Sequence, residues 1–103
     1  MGNTSIEIGH NVPNGFEVDD RISPSERGYR FQFRLVEKLI ERLDGFSTVT
    51  LYDMNNNIIT RDTLKKRGPD GGLDLLIRIA AKTPTASLQV AGKIWKILRE
   101  IDL

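Results

Sequence analysis

The sequence predicts a small α+β domain, and three observations carry that prediction. Apolar residues recur at helical spacing in two places, Phe33, Val36, Ile40 and Leu43 early, and Leu88, Ala91, Ile94, Trp95, Leu98 and Ile101 late. Between them, Phe46 to Met54 is rich in β-branched and aromatic residues and alternates at Val49 and Leu51, the signature of a strand. Clusters of Gly, Pro, Asn and Asp separate these segments and mark turns. The chain of 103 residues has the length of one domain, so residues 1–103 are read as a single unit with residues 1–22 as an irregular N-terminal segment.

Within that segment, Ser5 to Ile8 alternates enough for a short strand. Gly9, Asn11, Pro13, Asn14 and Gly15 form a loop cluster, and Phe16 to Ile22 suits a second extended piece. Ser23-Pro24-Ser25-Glu26 combines a capping serine, a proline at the first helical position and a glutamate three residues after the cap. A helix from about Ser23 to Leu43 follows, with Leu35 and Leu39 widening its apolar stripe and Gly45 closing it. Tyr29, Phe31, Phe33 and Leu35 also alternate as a strand would, and Gly28 costs a helix interior about 1 kcal/mol relative to Ala; the longer helical stripe decides. A hairpin is expected over Ser47–Thr63, turning at Asn55-Asn56-Asn57, with Ile58 to Thr63 as the returning strand.

Lys65-Lys66-Arg67 leads into a hinge, Gly68-Pro69-Asp70-Gly71-Gly72. Leu73 to Ala81 fits both periods: a buried strand, or a helix with Leu73, Leu76, Ile77 and Ala80 on one face. Its paired alanines favour a helix, which would be the third of the domain, and the strand stays open as the alternative. Thr83-Pro84 repeats the cap-then-proline signal and starts a C-terminal amphipathic helix. The helices are expected on one face of a small sheet containing the hairpin.

Composition narrows the functions. An apolar share of 39% with 28% charged residues is that of a soluble fold, and 15 Lys and Arg against 14 Asp and Glu create no overall field for nucleic acid or an anionic membrane. The absence of cysteine removes disulfides, thiolate nucleophiles and cysteine metal clusters. The N-terminus has no signal-peptide pattern and no apolar run is long enough to span a bilayer, so a soluble, cytoplasmic protein without a membrane partner is expected. Gly2 does not meet the myristoylation pattern, because Ile6 stands where Ser or Thr is required.

Asp70-Gly71-Gly72-Leu73-Asp74 is the richest chemical string. Together with a helical glutamate, Glu37, a strand, and Lys82 after an apolar run, it resembles the core of the restriction-endonuclease-like fold, in particular the Mrr-type enzymes. That resemblance implies carboxylates on a divalent metal and a lysine near the attacking water. The second motif departs from the family's pattern, since Ala80 replaces the metal-binding residue two positions before Lys82. No catalytic residue is assigned. Asp53, Asn55 and Asn57 have the spacing that opens a calcium loop, but Ile58 replaces its glycine and Leu64 its bidentate glutamate, which leaves a hairpin turn. His10 stands alone in a loop, Asp19-Asp20 beside Arg21 reads as a solvated loop, and no Walker or dinucleotide fingerprint occurs. No metal ligand and no cofactor is expected.

Two basic clusters remain as binding candidates. Arg27, Arg30 and Arg34 share a helix face beside the aromatic Tyr29 and Phe31, and Lys65, Lys66 and Arg67 precede the glycine hinge, where backbone donors could assist a phosphate. The expected function is a non-enzymatic protein–protein interaction module, an adaptor, regulatory or inhibitory domain that meets another protein or a second copy of itself through a sheet edge or helix surface. Phe31, Arg30 and Arg34 are its candidate contacts, with Trp95 assigned to the core. Nucleic-acid binding through the two clusters is the alternative, and a degenerate endonuclease-like domain the more distant one.

Overall fold

The computed structural model describes residues 5–8, 20–22, 28–72 and 75–101. In chain order the elements are β1 (Ser5–Ile8), β2 (Asp20–Ile22), α1 (Gly28–Leu43), β3 (Ser47–Tyr52), β4 (Ile58–Ile59), α2 (Arg61–Arg67), β5 (Leu76–Ala81) and α3 (Ala86–Ile101). The strands form one mixed sheet in the order β2-β1-β5-β3-β4. β5 is its centre, running parallel to β1 and antiparallel to β3, with Ile6 opposite Ile77 on one side and Leu51 opposite Ile77 on the other.

The register of β3 against β5 sorts the two faces of the sheet. Ser47, Leu51, Ile77, Ile79 and Ala81 are buried and share one face, on which α1 and α3 pack. Thr48, Thr50, Tyr52, Leu76, Arg78 and Ala80 share the other, which is exposed or half-buried. Leu35, Leu39 and Leu43 of α1 and Val90, Ile94 and Ile97 of α3 supply the helical half of the core, all of them almost fully enclosed. At the far end of the helix pair, Arg42 donates two hydrogen bonds to Glu100, at 2.9 and 2.8 Å, in the fork geometry that suits guanidinium and carboxylate.

Several expectations hold. Tyr29 to Leu43 is helical despite its strand-like alternation, because the stripe through Phe33, Val36, Leu39 and Leu43 meets the core. Gly28, with φ at +68°, stands at the start of α1 rather than inside it, and Gly45 takes φ +84° just past its end. The hairpin is present, and its turn is organised by Asp53, whose Oδ1 accepts from the amides of Asn55 and Asn57 at 2.8 and 2.9 Å. Thr83 caps α3 by accepting from the Ala86 amide at 3.1 Å. β1 and β2 lie where Ser5–Ile8 and Phe16–Ile22 read as extended. The capping signal at 23–26 and the loop cluster at 9–15 lie outside the described residues.

Two expectations are corrected. Leu73–Ala81 does not form a helix: Leu76–Ala81 is a strand, and Leu73 itself lies outside the described residues. The alanines weigh little there, because Ile77, Ile79 and Ala81 alternate inward while β1 and β3 take both backbone edges. The third helix is α2 instead, where a returning strand through Thr63 was expected. Pairing of β4 stops after Ile59 because Thr60 adopts an N-cap conformation and its hydroxyl accepts from the Thr63 amide at 3.1 Å. Asp62 in the first turn and Lys65, Lys66 and Arg67 in the last complement the helix dipole, and Gly68 closes it by donating to the Leu64 carbonyl.

Because Ile79 faces the helices from the central strand, Ile79→Ala should destabilise the fold by about 2–5 kcal/mol in urea unfolding. Thr48→Ala on the open face should cost well under half of that.

Candidate functional site

The two basic clusters, separated by more than thirty positions in sequence, meet at one end of the molecule. Arg30 in the first turn of α1 pairs with Asp70 in the hinge after α2. Gly71 lies against both elements: a Cβ there would stand 2.8 Å from Arg67 Cβ, 3.0 Å from Tyr29 Cε1 and 3.1 Å from the Tyr29 hydroxyl. Only glycine fits this approach without displacing the Tyr29 ring or the Arg67 stem. Arg34, Lys65 and Lys66 are exposed around this junction's two helices, whereas Arg67 is half-buried. Arg27 and Asp74 lie outside the described residues.

Two of the hinge amides that the sequence suggested for a phosphate are turned to the chain itself. The Gly68 amide donates to Leu64 and the Gly71 amide to the Gly68 carbonyl at 3.2 Å, so both donors are spent inside the loop. Side chains supply the free donors instead. Among the described residues, Tyr29 Oη, Gln32 Nε2 and Arg67 Nη1 are buried without a hydrogen-bond partner. Ser47 Oγ shares that state on β3, opposite Ala81 and so at the other end of β5. Gln32 is fully buried, and its Oε1 accepts from the Leu75 amide at 2.7 Å, which fixes which way its NH2 group points. Burial pushes the Tyr29 hydroxyl above its ordinary pKa, with the Arg67 charge working in the opposite direction.

Phe31 is corrected from an exposed contact to a half-buried residue packed against the core. Trp95 is corrected in the opposite direction, since it is 48% exposed. The buried stripe of α3 runs through Val90, Ile94, Ile97 and Ile101, whereas Leu88, Gly92, Trp95 and Arg99 form a second stripe at the same four-three spacing on the solvent side. Both stripes are apolar enough to pass for the core side, and the β-branched one wins the core. Leu88 is 84% exposed. Beside this outer stripe a shallow cavity of about 450 Å³ is lined by Phe46, Gln89, Gly92, Lys93 and Lys96, with Lys93 Nζ 4.8 Å from the centre of the Phe46 ring.

A second groove, of about 280 Å³, lies between α1 and α2. Phe33, Val36, Ile40 and Leu64 floor it, Glu37 and Glu41 wall one side, and Arg61 and Lys65 the other. The endonuclease-like residues are dispersed by comparison. Asp70 and Lys82 stand beyond opposite ends of β5, a six-residue strand of about 20 Å, and Glu37 borders the groove. Among the described residues no group of three or more His, Cys, Asp or Glu is placed to hold a metal ion, and no helix is long and apolar enough to cross a membrane. Comparison with protein-family models, with curated proteins and with solved structures finds no match to this chain.

Two predictions follow from this geometry. Gly71→Ala should lower stability by about 1–3 kcal/mol, because the added methyl overlaps Arg67 and Tyr29; chemical denaturation measures it. Hydrogen bonds from the Asn57 and Asn55 amides hold the Asp53 carboxyl below its ordinary pKa, and the bonds from Arg42 do the same for Glu100. A carboxylate favoured in the folded state stabilises above its unfolded pKa, about 4, and that contribution disappears as pH falls through the lower folded value. Asp53→Asn should therefore flatten the acid limb of the stability-against-pH curve while leaving its neutral-to-alkaline shape intact.

Proposed function

We propose that this chain is a non-enzymatic interaction module, an adaptor or regulatory domain of the cytoplasm, that binds another protein through the outer surface of α3. The observation that carries the reading is the pairing of Leu88 and Trp95, two large apolar side chains held one heptad apart on the solvent side of a helix whose other side is fully committed to the core. Exposed tryptophan and leucine on one stripe are what a partner helix buries at the centre of an interface. Gly92 between them leaves open space, since a Cβ there would meet nothing within 4 Å, and a partner side chain can approach the backbone closely.

Charge selects the partner. Lys93 and Lys96 flank the stripe, Arg99 ends it, and the helix's one acidic residue within its described length, Glu100, is neutralised by Arg42. An acidic amphipathic helix complements this surface, with apolar residues over Leu88 and Trp95 and carboxylates toward the three cations. A second copy of the same surface would oppose like charges. Nucleic acid would use the cations and the indole but leave Leu88 idle.

The test uses the full chain as bait, beside a Leu88→Ser/Trp95→Ala variant and a Lys93→Glu/Lys96→Glu variant. The reading expects an acidic partner that both variants lose by at least about tenfold, with release by added salt. Partner capture unaffected by both variants, or a solution dimer that Trp95→Ala dissolves, would overturn it.

A further inference from the structure

We propose that Tyr29, Gln32 and Arg67 form a binding site for a phosphate group at the junction between the first turn of α1 and the glycine loop after α2. This site is separate from the α3 surface and rests on different residues. Three buried polar atoms without partners, Tyr29 Oη, Gln32 Nε2 and Arg67 Nη1, belong to this junction, and each is a donor. Gly71 ties Tyr29 to Arg67 by contact with both, and Gln32 follows Tyr29 by one helical turn on the same buried side of α1. The one acceptor Gln32 possesses is already used by the Leu75 amide, so its NH2 group has no freedom to turn away.

A guanidinium cannot escape burial by losing its proton, so a buried and unpartnered Arg67 Nη1 calls for an anionic acceptor. Of the nearby carboxylates, Asp70 pairs with Arg30, and Asp53 feels the Arg67 charge but accepts its hydrogen bonds from the amides of Asn55 and Asn57, so neither accepts from Arg67 Nη1. The first turn of α1 carries no acidic residue of its own, which leaves the positive end of a 16-residue helix uncompensated by its own side chains. Exposed Lys65 and Lys66 precede Arg67 and add to the attraction for an anion. A phosphate fits better than a carboxylate. Its oxygens are arranged tetrahedrally and can meet a phenol, an amide and a guanidinium that come from different directions, whereas the two carboxylate oxygens lie in one plane. With the Gly68 and Gly71 amides turned inward, the recognition is by side chains, unlike a phosphate loop built from backbone donors.

The experiment is a titration of the full chain with inorganic phosphate at constant ionic strength, against sodium chloride and sodium acetate, followed by amide resonances and melting temperature. Saturable shifts at the Gln32 side-chain amide and at Gly71 and Gly72 are expected, with a melting temperature that rises with phosphate and not with chloride. Arg67→Gln should weaken the phosphate affinity by about tenfold, the worth of one charge-assisted hydrogen bond. Tyr29→Phe, which keeps the ring and removes only the hydroxyl, should weaken it several-fold and guards against misreading a folding defect in the arginine variant. Shifts that grow linearly without saturating, shifts confined to Lys65 and Lys66, affinity indifferent to both variants, or acetate binding more tightly than phosphate would each overturn the proposal.

Discussion

Hydrogen bonding on both edges of β5 is the constraint from which the rest of the molecule is arranged. A strand paired on both sides with one face covered must send Ile77, Ile79 and Ala81 to that covered face, and those side chains decide where α1 and α3 can lie. The chain is anchored at each end of the strand. Before it, the Leu75 amide donates to Gln32 of α1; after it, the Lys82 amide donates to the Phe46 carbonyl at 2.9 Å, just ahead of β3. The buried amide of Leu75 is thus satisfied by a side chain rather than by a ladder, and a polar residue in the core becomes the link between the helix layer and the central strand.

The parts of the fold legible in the sequence are those whose local preference and tertiary position agree. α1 is one: its long stripe overrides four alternating residues because a strand from Tyr29 to Leu35 would have left Val36 to Leu43 without a seat. β3 is another, rich in β-branched residues and with apolar Val49 and Leu51 alternating, beside a turn that Asp53 organises by itself. β5 was illegible because the apolar run Leu73 to Ala81 fits either period over so short a length, and only pairing with β1, some seventy positions earlier, and with β3 separates the two. α2 was hidden because Thr60 and Thr63 favour strands by composition while acting here as a cap. The same limit governs the surfaces. The outer stripe of α3 could be told from the inner one by the β-branched character of Val90, Ile94, Ile97 and Ile101, but Tyr29 and Gln32 gave no sign of leaving polar atoms unpaired beneath an apolar-looking helix face.

A near-zero net charge is compatible with local groups of cations. Ion pairs close the two ends of α1, Arg30 with Asp70 at one and Arg42 with Glu100 at the other, and each pair joins segments distant in sequence. Exposed pairs of this kind contribute modestly to stability. Their larger effect is to remove two carboxylates from the field seen by a ligand, so that the α1–α2 end and the outer side of α3 present cations that the overall count does not reveal. The groove between α1 and α2 differs from both, since Glu37 and Glu41 face Arg61 and Lys65 across an apolar floor.

The parallel pairing of β1 with β5 carries a consequence for how the chain comes together during its synthesis. β1 is made well before the strand it lies against, which spans residues 76–81, and β2 reaches the sheet through β1. Until β5 has left the ribosome, the N-terminal strand pair has no sheet to join, while α1, β3 and β4 can already assemble locally. The order of synthesis and the order of assembly are therefore opposed. High sequence separation of this kind slows folding and leaves strand edges open in the interval, so β1 and β2 wait for a strand made some seventy residues after them.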